Sequence, residues 1–79
     1  MRAQGDPVRE LAAVTRGFCP DDRAKLVPLY PGGRNCPRRC GVCGLAWETG
    51  RNADGVPGYG YRAGGHRHWY HVHSLRRDP

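Results

Sequence analysis

Long apolar runs are missing from this 79-residue sequence, and the longest, "LAAV", covers only 11–14. A membrane-crossing helix takes about 20 apolar residues, so none is expected. The opening "MRAQGDPVRELAAV" lacks the uninterrupted apolar stretch of a secretory signal. A cytoplasmic protein is therefore expected, in a compartment where thiols stay reduced or hold metal. Large apolar side chains are also scarce, with 1 Phe, 1 Met and hydrophobic residues at 38%. A chain this short forms one domain at most, and its modest core calls for a staple such as a metal, disulfides or a partner.

Lysine is nearly absent: Lys25 stands alone among 13 basic residues, the rest being arginine. A codon bias that enriches Arg, Gly, Ala and Pro together accounts for that ratio. It does not account for the net balance. Acidic residues number 7, the formal charge is +6, and the pI is about 9.7. That excess favours a polyanionic partner.

Several elements follow from local signals. "DPVRELAAVTRG" at 6–17 reads as a helix, with Asp6 as N-cap, Pro7 at the first position and Gly17 closing it. Val8, Leu11, Ala12 and Thr15 would form its apolar face. "DDRAKLV" at 21–27 reads as a helical turn ended by Pro28 and Pro31, and "PGGRN" at 31–35 as a turn. Phe18, Leu26, Val27, Leu29 and Tyr30 are the expected core contributions of this region. "GLAWETG" at 44–50 suggests a short strand with Leu45 and Trp47 on one face, and "HRHWYHVHSL" a second over 67–75. These two would pair as a hairpin across a glycine-rich loop, 51–65, in which "DG" at 54–55 marks a tight turn. Both tryptophans, Trp47 and Trp69, are expected in the core.

The four cysteines carry the most specific chemistry. "CGVCG" at 40–44 places Cys40 and Cys43 two residues apart with Gly44 behind them. Such a turn aims both sulfurs at one centre, its backbone N–H groups donate to them, and the glycine takes the left-handed conformation. The motif resembles the zinc knuckle of ribbon and treble-clef zinc fingers. Three residues separate Cys36 from Cys40, and 16 residues that can fold back separate Cys19 from Cys36. The favoured ligand set for Zn2+ is thus Cys19, Cys36, Cys40 and Cys43, with His66, His68, His71 or His73 as alternative ligands. Two other readings stand beside it. Four cysteines suffice for two disulfides, which the missing export signal disfavours. "CPRRCGVC" also looks like the three-cysteine cluster motif of radical S-adenosylmethionine enzymes; that activity needs a barrel too large for this chain, which leaves a small iron–sulfur cluster as an alternative. "CPDDR" at 19–23 and "CPRRC" at 36–40 share a Cys-Pro start, too little to argue duplication.

Four histidines crowd "HRHWYHVH" at 66–73, and tracts of this kind often bind metal. On a strand, His66 and His68 would face one way and His71 and His73 the other. A His-metal nuclease would want a fixed carboxylate or Asn beside them. Asn52 and Asp54 lie nearby in sequence, but the pattern of the HNH nuclease family is missing. Catalysis is therefore not expected.

Arg34, Arg38 and Arg39 bracket the cysteines, while Arg62, Arg67, Arg76 and Arg77 surround the histidine tract with Trp69 and Tyr70 among them and Tyr59 and Tyr61 in the loop before it. Arginines interleaved with aromatics suit single-stranded nucleic acid, DNA or RNA, because rings stack on bases while guanidinium groups neutralise phosphate; they also suit duplex DNA, with Arg on the backbone and groove edges. No classical zinc-finger helix or helix-turn-helix is present. A protein partner is the rival, with the chain as a zinc-stabilised adaptor or inhibitor contacting it through 51–65. The combined expectation is a small metal-stabilised α+β fold of zinc-ribbon or treble-clef type, with an N-terminal helix, a zinc knuckle and a short antiparallel β-hairpin. Residues 6–75 form the single zinc-binding domain, between a frayed 1–5 and a basic tail, 76–79. The expected function is nucleic-acid-binding regulation with a structural zinc.

Overall fold

A computed structural model describes residues 5–30 and 36–73. Expectations for 1–4, for the turn at 31–35 with Arg34, and for 74–79 with Arg76 and Arg77 lie outside the described residues.

One helix, α1 (Pro7–Arg16), forms where its end signals place it. The Asp6 carboxylate accepts from the Val8 N–H at 3.0 Å, satisfying one of the amides a helix start leaves unpaired. At the other end Gly17 sits at φ 90°, its N–H bonded to Val14 O and that of Phe18 to Ala13 O. This pair of bonds is a Schellman stop. The buried face carries Glu10, Leu11 and Val14 rather than Thr15, which is exposed.

Five strands follow: β1 (Leu26–Pro28), β2 (Arg38–Cys40), β3 (Ala46–Arg51), β4 (Pro57–Ala63) and β5 (His66–His71). They form one antiparallel meander in the order β1-β2-β3-β4-β5. The architecture is α+β, as expected, but the sheet is larger than a hairpin. The strands at 46–51 and 66–71 do not pair with each other. Each pairs with β4, which runs between them through the stretch expected to be a loop. The turns at both ends of β4 have clear local causes. Asn52 Oδ1 accepts from the amides of Asp54 and Val56 at 2.9 and 3.0 Å, with Gly55 at φ 78°. Gly64 and Gly65, at φ 57° and 87°, make the two-residue turn of a tight hairpin.

Helix α1 covers one face of the sheet. The core between them holds Leu11, Val14, Cys19, Leu26, Cys40, Trp47, Tyr59, Tyr61 and Val72. Trp47 is wholly buried and packs on Tyr61 at 5.0 Å between ring centroids. The Tyr59 hydroxyl donates to Glu10 Oε1 at 2.6 Å, a buried bond that ties the helix to β4. Two expectations about the core are corrected. Phe18, Val27, Leu29 and Tyr30 are exposed and only Leu26 is buried; β1 is a three-residue edge strand whose alternation turns Leu26 inward and Val27 outward. Trp69 lies on the opposite, helix-free face of the sheet. Among the described residues no helix is long and apolar enough to cross a membrane.

Candidate metal centre

Two loops of the same design face one another beside the core. In the first, after α1, the Arg23 N–H bonds to Cys19 O at 2.8 Å and the Cys19 N–H to Ala24 O at 2.8 Å. In the second, between β2 and β3, the Gly44 N–H bonds to Cys40 O at 2.9 Å and the Cys40 N–H to Leu45 O at 2.9 Å. Arg23 takes a left-handed φ of 62° where Gly44 takes 78°. The two loops therefore align Cys19 with Cys40, Asp22 with Cys43 and Arg23 with Gly44. The internal repeat is 19–24 against 40–45, not the Cys-Pro match between 19–23 and 36–40.

This repetition brings four donor atoms together. One ligand atom each from Cys19, Asp22, Cys40 and Cys43 lies within 4.8 Å of the others, close enough to hold one metal ion. The sulfurs of Cys19 and Cys43 are 3.8 Å apart. Two sulfurs bound at about 2.3 Å to a tetrahedral zinc stand about 3.8 Å apart, whereas a disulfide needs about 2.05 Å. All four cysteines of the chain are free. The knuckle behaves as its sequence indicates: the amides of Val42 and Cys43 point at Cys40 Sγ, 3.4 and 3.5 Å away.

The donors carry opposite electrostatic signatures. Burial pushes the Cys19 thiol up from 9.0 to about 12, and the neighbouring thiols of Cys43 and Cys40 add to the rise. Backbone N–H groups at Asp22 and Asp21 partly oppose it. Loss of solvent at its sulfur also raises Cys43, against the N–H of Leu45. The Asp22 carboxyl is lowered, first by the Ala24 N–H, which it accepts at 2.9 Å, and then by the thiols of Cys40, Cys19 and Cys43. The centre thus presents one ready anion and thiols that must give up protons to a metal.

Three of the four favoured cysteines meet here. Cys36 does not: its Sγ contacts the carbonyl oxygens of Tyr30 and Pro37 at 3.1 and 3.3 Å. Asp22 stands in the place expected for it. The reason is the extended backbone leading into β2. β2 runs over Arg38–Cys40 and the Leu29 N–H bonds Pro37 O, so the chain leaves Cys40 as a strand instead of turning back, and Cys36 is carried away from the other three thiols. The three-cysteine spacing that suggested a cluster is consequently not gathered into one site.

The histidines His66, His68, His71 and His73 stay outside the group. His68 stacks on Tyr61 at 4.7 Å, while His71 lies edge-on to Trp69 at 6.4 Å. Of the described arginines named from sequence, Arg39 and Arg67 are exposed on the helix-free face. Arg38, opposite Trp47 in register, lies on the helix side near Gly17. Sequence reasoning missed Asp22, although "CPDD" carries a donor at the same offset from Cys19 as Cys43 from Cys40. Arg62, named beside the histidine tract, is exposed on the helix-free face of β4. No protein-family model, curated protein or solved structure matches this chain.

Proposed function

We propose that the chain is a zinc-stabilised, ribbon-like domain that binds nucleic acid, its zinc held by Cys19, Asp22, Cys40 and Cys43 in a structural role. The observation that carries the metal half is the pair of matching loops, which converge four protein donors on one point. Four protein ligands leave no open position for substrate, the arrangement of a structural rather than a catalytic zinc. A carboxylate among the donors favours zinc over an iron–sulfur cluster, which takes cysteine thiolates. The metal would tie the helix–β1 segment to the β2–β3 turn.

The nucleic-acid half rests on charge. Arg38, Arg39, Arg51, Arg62 and Arg67 lie in the strands against a single carboxylate, Glu48. The face away from α1 holds Arg39, Arg62 and Arg67. Binding through such a face weakens steeply and log-linearly with salt.

A protein-binding adaptor is the second reading, favoured by one observation: Val27, Leu29 and Val42 are 61%, 47% and 72% exposed. The contact would then be the β1 edge and not 51–65, most of which is built into the sheet. Two measurements test the proposal. Native protein should carry one zinc per chain, and its chelation should lower the melting temperature sharply, since zinc supplies folding free energy. An unchanged melt after metal removal would refute the structural role. Binding to oligonucleotides that ignored salt would refute the electrostatic interface.

A further inference from the structure

The helix-free face is ordered in rows. Strand register places Arg39, Ala46, Arg62 and Arg67 side by side across β2, β3, β4 and β5. With strands about 4.8 Å apart, the row from Arg39 to Arg67 spans roughly 14 Å. The next row is Glu48, Gly60 and Trp69, and the one beyond is Gly50, Gly58 and His71. Glycine weakens a strand interior and often marks a close approach. Here the approaching group is the Trp69 indole. A Cβ on Gly58 would stand 2.7 Å from its Nε1, one on Gly60 2.6 Å from Cε3, and one on Gly50 3.5 Å from Cη2. The ring therefore lies along the glycine floor, half-buried. The Arg67 guanidinium carbon sits 4.7 Å from the ring centroid, and Arg67 Nε bonds Glu48 Oε1 at 2.9 Å.

Flat rings beside guanidinium groups recognise unpaired bases, because a base stacks on the π-face or on an arginine plane while other arginines neutralise phosphate. We infer that this face binds single-stranded nucleic acid. The backbone crosses the strands along Arg39, Arg62 and Arg67, and a base stacks on the Trp69–Arg67 surface. This inference rests on the nucleic-acid reading above and sharpens it to an unpaired strand at a stated place. A paired duplex buries its base faces and cannot offer one to Trp69.

The metal-loaded protein provides the test, by fluorescence titration at low salt with an oligothymidylate and with a duplex of equal length. Trp47 is wholly buried, so quenching reports Trp69. The single strand should quench and bind more tightly than the duplex. Trp69→Leu should remove the quenching and weaken binding roughly 5- to 150-fold, the equivalent of about 1–3 kcal/mol per stacked base. A double variant, Arg39→Gln with Arg62→Gln, alters exposed side chains and so serves as the arm insensitive to folding. It should flatten the log–log salt slope by about 1.4, near 0.7 per lost phosphate contact. Single-strand binding that leaves fluorescence unchanged, or a duplex preference, would overturn the stacking site while sparing the nucleic-acid reading. No binding to either oligonucleotide at low salt would overturn both.

Discussion

The Cys40 thiol points at both carboxylate oxygens of Asp22, at 3.4 and 3.3 Å. These residues come from different loops, 18 positions apart in sequence. Their meeting brings Asp22 close enough to serve with Cys19, Cys40 and Cys43 as the fourth donor to one metal ion. It also couples the segment after α1 to the turn between β2 and β3, across the end of a small core.

Replacing Asp22 separates its role as a ligand from that of a turn residue. Asp22→Ala should weaken zinc retention, measured by chelator competition, by at least the roughly 10–100-fold seen when a mere outer-shell partner is lost. Asp22→Cys restores a donor at the same offset and should hold zinc at least as tightly as the natural chain. Unchanged retention in Asp22→Ala would remove Asp22 from the centre.

Proton release on metal binding follows from the donor set. The Cys19 and Cys43 thiols are raised and so remain protonated at neutral pH. Asp22 is lowered from 3.8 and so is already ionised there. Zinc must therefore displace thiol protons but none from Asp22. Affinity should rise with pH through the neutral range, the Cys19 proton opposing binding until its value of about 12 is approached. Calorimetry in buffers of different ionisation enthalpy should show proton release on zinc binding at pH 7, at least the two protons of Cys19 and Cys43. Binding without proton release would contradict thiol ligation at these two residues.

Glycines in the sheet and in its turns are unequal. A Cβ on Gly60 meets the backbone oxygen of His68 and the Trp69 ring, whereas one on Gly41 meets nothing within 4 Å. Gly60→Ala should cost about 1–3 kcal/mol in denaturant unfolding, the usual range for overpacking. Gly41→Ala should stay within about 0.5 kcal/mol of the natural chain. Equal effects would contradict the close seating of Trp69.

How much of this was legible follows local chemistry. Asp6, Pro7 and Gly17 mark the helix because capping is decided by neighbours in sequence. Cys40, Cys43 and Gly44 mark the knuckle for the same reason. Strand β4 was not legible, since Gly58 and Gly60 lower strand propensity, and the reason for them lies on another strand, in the Trp69 ring. Trp69 itself was expected in the core; only the register of β5 puts it on the other face. Cys36 stands apart from the group because three intervening residues suit a shared centre only in a turn, and Arg38–Cys40 form a strand. Asp22 was visible as a carboxylate at the knuckle offset from Cys19. It is recognised as a candidate donor once Arg23 is seen to take the left-handed turn conformation that Gly44 takes without strain.

Thiol alkylation of the zinc-loaded protein, with the modified residues mapped by mass spectrometry, tests the centre most directly. The ligand set Cys19, Asp22, Cys40 and Cys43 predicts one zinc per chain and a single reactive thiol, Cys36. Protection of Cys36 together with the other three, or modification of Cys19, Cys40 or Cys43 while zinc stays bound, would contradict it.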